Sequence, residues 1–145
     1  MYTIEEFDKE KMKVMNYIMY KKRTEYEVKN KFKNTIQSDM LYDIIAYVKE
    51  AGYLNDIDYI DRAIKEFIAL KDLSIKEIEY KLLTKGIDRS EIEDYIYNNK
   101  EMLQEYEIKS ATDLLQKKQR TMEKEDIKMY LIKKGYNHQT IKEVF

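Results

Sequence analysis

The side chains with most chemistry to offer in this chain are basic and phenolic, and they cluster. Lys21, Lys22 and Arg23 are consecutive, and Lys29 and Lys33 follow at i, i+4. Further along, Lys117, Lys118, Arg120, Lys133 and Lys134 lie in a stretch, 117–134, with seven basic residues against three acidic ones. Tyr17, Tyr20, Tyr26, Tyr130 and Tyr136 interleave with these cations. Ammonium and guanidinium groups pair with carboxylates and phosphates, and phenol rings stack on unpaired bases. The chemistry is that of holding a partner, and these ten cations are the candidate contacts with a protein partner or DNA.

Catalytic equipment is sparse by comparison. His138 is the only histidine and follows Asn137, an expected helix N-cap, which makes it an exposed first-turn residue and not a base. The chain has no cysteine, so there is no thiolate nucleophile and no cysteine-based metal site. Acidic clusters such as Asp56/Asp58/Asp61 and Glu123/Glu125/Asp126 read as solvated faces or caps, not as a site for a hard cation. With its three glycines at 52, 86 and 135, the chain can write neither phosphate-binding loop, G-x-x-x-x-G-K-[ST] or G-x-G-x-x-G. No enzyme, cofactor or metal is expected.

Charge is close to balanced, at −1 net over 145 residues, but unevenly spread. Residues 9–33 hold nine basic and three acidic side chains, whereas 37–100 hold nine and fourteen. A pI near 6.0 falls short of an autonomous nucleic-acid binder, so direct DNA contact is expected to be weak, auxiliary and salt-dependent. The N-terminal M-Y-T-I-E-E-F-D lacks the basic-then-apolar layout of a secretory signal, and no apolar run of about 18 residues could cross a bilayer. A cytoplasmic monomer without membrane association is expected.

The elements that must position these residues are helices. There is no proline, and the three glycines mark corners: Gly52-Tyr53-Leu54-Asn55, Gly86-Ile87-Asp88 and Gly135-Tyr136-Asn137. In each, glycine closes one helix in the left-handed conformation, and Asn or Asp opens the next. Thr24-x-x-Glu27 and Ser74-x-x-Glu77 are capping boxes. Apolar spacing between these marks predicts nine helices, at about 5–22, 25–34, 38–51, 56–71, 75–85, 89–98, 101–118, 122–134 and 138–145. A unit recurs about every fifty residues: Val28/Phe32, Ile78/Leu82 and Ile127/Leu131 in the second helices, and Leu41/Ile44/Ile45, Ile92/Tyr95/Ile96 and Ile141/Val144/Phe145 in the third. The expected fold is all-α, with three three-helix repeats at 1–52, 53–99 and 100–145. Stacked units of this length usually offer an extended surface and not one substrate pocket.

Gly52-Tyr53-Leu54-Asn55-Asp56-x-x-Tyr59-Ile60 resembles the G-[YF]-[LI]-[ND]-D-x-x-[FY]-A signature of the RecX family, bacterial regulators of the RecA recombinase. Lys21–Phe32, Glu77–Ile87 and Lys128–Val144 are similar to three further motifs of that family, in the same order, so the resemblance covers roughly 10–145. It implies tandem three-helix repeats in an elongated, curved array. It also implies a non-enzymatic protein that lodges in the groove of the RecA filament on single-stranded DNA and damps ATP hydrolysis, strand exchange and co-protease action. The chain departs from the family in using Lys where many relatives use Arg, and in carrying Asp72-Leu73-Ser74 where a glycine turn is common. Lysine lacks the planar fork of arginine, which bears more on DNA than on RecA. The alternatives are a RecA-independent nucleic-acid-binding helical protein and a generic helical scaffold.

Overall fold

The computed structural model describes residues 1–145 and consists of nine helices without a strand. They are α1 (Ile4–Tyr20), α2 (Glu25–Phe32), α3 (Ser38–Glu50), α4 (Asp56–Leu70), α5 (Ile75–Leu83), α6 (Arg89–Asn98), α7 (Lys100–Lys118), α8 (Lys124–Lys134) and α9 (His138–Val144). In chain order they form three groups of three, and the corners that the sequence marks, at Thr24, Gly52, Ser74, Gly86 and Gly135, fall where it marks them. Gly52, Gly86 and Gly135 all take positive φ, at 85°, 78° and 98°. The boxes at Thr24/Glu27 and Ser74/Glu77 are both closed reciprocally, and a third, Thr3/Glu6, starts α1. Asn55 and Asn137 accept from Asp58 N and Thr140 N as N-caps should, whereas the Asp88 side chain makes no capping bond.

The chain divides into two compact units, 1–59 with 85–87 and 60–84 with 88–145. In the first, α1, α2 and α3 enclose a core of Val14, Val28, Phe32, Ile44 and Val48, with the Tyr17 ring set edge-on to Phe32 at 5.6 Å. In the second, Ile64, Ile78, Leu82, Ile92, Leu103, Ile127 and Leu131 are fully buried. Each such Ile or Leu contributes about 2 kcal/mol of transfer free energy, so the 3.6-residue periodicity becomes stability.

Within each unit one junction is built from the same parts. In the first unit Thr24 Oγ1 donates to Lys85 O at 2.7 Å, and Asp56 Oδ1 accepts from Glu25 N at 2.9 Å. In the second, Ser74 Oγ donates to Lys134 O at 2.8 Å, and Glu107 Oε2 accepts from Ile75 N at 2.8 Å. A hydroxyl at the N-cap of the second helix thus holds the carbonyl just before a later glycine corner. A carboxylate from a later first helix satisfies the next free N–H, which has no partner inside its own helix. The glycines are needed here for closeness as well as for φ. A Cβ at Gly86 would overlap the Tyr26 ring, and one at Gly135 would stand 3.0 Å from Lys76 Cβ.

Where the glycine turn is replaced by Asp72-Leu73-Ser74, Lys71 takes the left-handed conformation instead, with φ 56°. Side chains of α7 hold that bend. Ser110 Oγ donates to Lys71 O at 3.1 Å, and Tyr106 OH donates to Leu73 O at 2.6 Å.

Candidate partner-binding surfaces

The first basic cluster sits at the corner between α1 and α2. Lys21 is the C-cap of α1 and points into solvent. Lys22 Nζ lies 3.1 Å from Asp58 Oδ2 in an exposed pair. Arg23 is half-buried: its guanidinium lies 4.0 Å over the Tyr17 ring, and its Nε donates to Tyr17 O at 3.5 Å. Tyr17 is itself packed on the core, so Arg23 is presented in a fixed position. An exposed pair such as Lys22–Asp58 is worth under about 1 kcal/mol, so a partner's anion can recruit Lys22 at little cost.

Lys29 and Lys33 stand together at the edge of a groove of about 430 Å³ between α2 and α3. Its floor is Leu41 and Ile45, and Tyr26, Asn30, Ser38 and Tyr42 complete the rim. Lys29 lies 3.8 Å from Glu25, whose other carboxylate oxygen is drawn to Lys49 at 2.9 Å.

The second cluster separates into three situations. Lys117 and Arg120 line a shallow recess of about 390 Å³ with Asp113 and Gln116. Lys118 Nζ lies 4.3 Å over the Tyr130 ring, and Lys134 Nζ approaches the same ring at 5.7 Å. Lys134 also pairs with Glu77 at 3.5 Å and donates to Asp72 O at 3.2 Å, which ties it into the bend after α4. Lys133 is exposed on α8. Lys117, Arg120 and Lys133 thus stand clear of such contacts, while Lys118 and Lys134 are held over Tyr130 and Lys134 is also paired with Glu77.

Side chains outside the ten candidate cations complete these surfaces. Tyr42 and Ser38 border the first groove, and Lys128, His138 and Lys142 border a second one, of about 730 Å³, between α8 and α9. The signal that finds them is the register of the repeat: Tyr42 and Lys142 each follow an aligned core residue, Leu41 and Ile141. His138 is exposed at the start of α9, next to its N-cap Asn137. Surfaces of this kind bind carboxylates or phosphates through many contacts, each of them individually weak.

No protein-family model matches the chain. It is similar to regulatory protein RecX of Staphylococcus carnosus, with 31% identity over 133 residues, covering 89% of this chain and 50% of the relative. The likeness to regulatory protein RecX of Streptococcus mutans is again 31%, over 94% of this chain and 54% of the relative. The chain thus spans about half the length of the curated relatives it matches. A crystal structure of RecX from Lactobacillus salivarius superposes with a TM-score of 0.82, covering 98% of this chain and 96% of that one at 24% identity. Another structure of regulatory protein RecX gives 0.77 over 95% of this chain and 72% of that one. The two superpositions establish the helical fold.

Proposed function

We infer from these likenesses that this chain is a member of the RecX family and a non-enzymatic regulator of the RecA recombinase. It binds along the groove of the RecA–single-stranded DNA filament and limits ATP hydrolysis, strand exchange and co-protease action, in homologous recombination, DNA repair and the SOS response. The observation that carries this reading is the relation to regulatory RecX proteins, which runs in order through nearly the whole chain. The three-helix repeats at 1–52, 53–99 and 100–145 act as the binding modules. Lys21, Lys22, Arg23, Lys29 and Lys33 meet the partner from the first, and Lys117, Lys118, Arg120, Lys133 and Lys134 from the last. Affinity comes from many modest contacts made at once along a polymer, which raises effective concentration without any single strong site. Direct DNA contact is auxiliary, and the protein acts as a monomer in the cytoplasm.

The test follows ATP hydrolysis by RecA on single-stranded DNA as the chain is added. Hydrolysis falling to a plateau, with shortened filaments, is the expected result. An unchanged rate and filament length at saturating protein would remove the assignment.

A further inference from the structure

The groove between α2 and α3 in the first unit and the groove between α8 and α9 in the second occupy the same register of the repeat. Counting from the N-caps Thr24 and Glu123, Lys29 corresponds to Lys128 and Lys33 to Ile132; from Gln37 and Asn137, Leu41 corresponds to Ile141 and Ile45 to Phe145. Both grooves therefore have an apolar floor, Leu41 and Ile45 in one and Ile141 and Phe145 in the other, and a lysine at the same rim position. Position 42/142 adds a tyrosine to the first rim and a second lysine to the other.

The middle repeat does the opposite at these positions. Glu79 stands where Lys29 and Lys128 stand, and Glu93 where Tyr42 and Lys142 stand. Arg89, at the position of Ser38 and His138, reaches across from α6 to Glu79 on α5, Nη1 to Oε1 at 3.4 Å. The corresponding surface there carries two glutamates, whereas the other two carry lysines at the rim, Lys29 with Glu25 3.8 Å away in an exposed pair.

We propose that the two lysine-rimmed grooves are copies of one docking site, each taking an apolar side chain from an acidic segment of the partner protein. The inference rests on the reading of the chain as a ligand of a polymer. A filament of identical subunits offers the same segment repeatedly, so two matched grooves on one chain can each take one copy. Charge decides the chemistry: a carboxylate beside the inserted side chain pairs with Lys29 or Lys128 and is repelled by Glu79 and Glu93. Protein is favoured over nucleic acid because the chain's pI is near 6.0, short of a nucleic-acid binder, and because the features the two grooves share are an apolar floor and a lysine, with no aromatic ring at a matching position.

The experiment measures co-sedimentation with RecA filaments on single-stranded DNA for the wild type, Lys29→Glu, Lys128→Glu and the double variant, with circular dichroism as the control for folding. Each single reversal is expected to weaken binding about tenfold, and the double about a hundredfold, since the sites are separate. Glu79→Gln in the middle repeat should change it less than about twofold. A photo-crosslinking phenylalanine in place of Tyr42, and separately of Lys142, should label the same acid-rich RecA peptide. A double variant that binds like the wild type, crosslinks to DNA, or two unrelated peptides would each overturn the shared site while leaving RecA binding intact. A wild type that does not sediment with filaments would overturn the RecA reading and this proposal with it.

Discussion

Glu107 should be among the residues the second unit can least lose. Its side chain is fully buried on α7, yet each oxygen is satisfied. Oε2 accepts from Ile75 N at 2.8 Å, at the start of α5. Oε1 accepts from Asn137 N at 2.9 Å and from Thr140 Oγ1 at 2.6 Å, at the start of α9. One carboxylate therefore closes two helix N-termini, where the macrodipoles favour negative charge. Replacing Glu107 by Ala strands two N–H donors, at about 1–2 kcal/mol each, and leaves a cavity costing about 1 kcal/mol more. Thr140 loses less, because Gln104 Nε2 still donates to its oxygen at 2.9 Å. Relief of the buried charge returns part of the loss. The expected net cost is about 3 kcal/mol, a large share of a stability typically between about 5 and 15 kcal/mol. Glu107→Gln keeps the shape and one acceptor but turns an amide N–H toward a donor, so about 2 kcal/mol is expected. Urea denaturation followed by circular dichroism measures both. A loss below about 0.5 kcal/mol for Glu107→Ala would refute the clamp, because two stranded helix-terminal donors cannot be that cheap.

The glycine corners make a paired prediction. Gly86→Ala should cost about 3 kcal/mol, combining left-handed strain with overlap on Tyr26, whereas Gly52→Ala, with nothing within 4 Å, should cost about 1 kcal/mol in the same urea experiment. Stability should also fall in alkali. Burial, then its bond to Asp61, raises the Tyr95 phenol to about 12, and burial raises Tyr106 and Tyr136 above the ordinary tyrosine range. Unfolded tyrosines release their protons near pH 10, so this contribution is complete below about pH 10 and is lost as pH climbs through 12. Tyr95→Phe should shrink the loss in a series of urea midpoints against pH. At the acid end the Asp61 carboxyl is held low by Lys65 and Tyr95, so its contribution is present above about pH 4 and lost as pH falls through its lowered value.

Much of the scaffold was legible because its signals are local. Apolar periodicity placed all nine helices, and Gly52, Gly86 and Gly135 marked their corners correctly. Thr24 and Ser74 were legible as caps, but their second role was not. Each hydroxyl also donates to a carbonyl about sixty residues away, and no spacing rule encodes such a bond. Asp56 caps a neighbouring helix, and Glu107 is buried without any pattern in its flanking residues to mark it. Among the cations, sequence gives charge but not occupation. Lys134 and Arg23 read like their neighbours, yet one is fastened to Asp72 and Glu77 and the other to Tyr17. The groove residues Tyr42 and Lys142 become visible only when the repeats are placed in register.

The most direct test of the functional account compares binding of the chain to RecA filaments on single-stranded DNA with its binding to the same DNA alone, at physiological salt. Saturable binding to filaments, with little on naked DNA, is the predicted result. Equal binding to both, or binding to DNA alone, would contradict it.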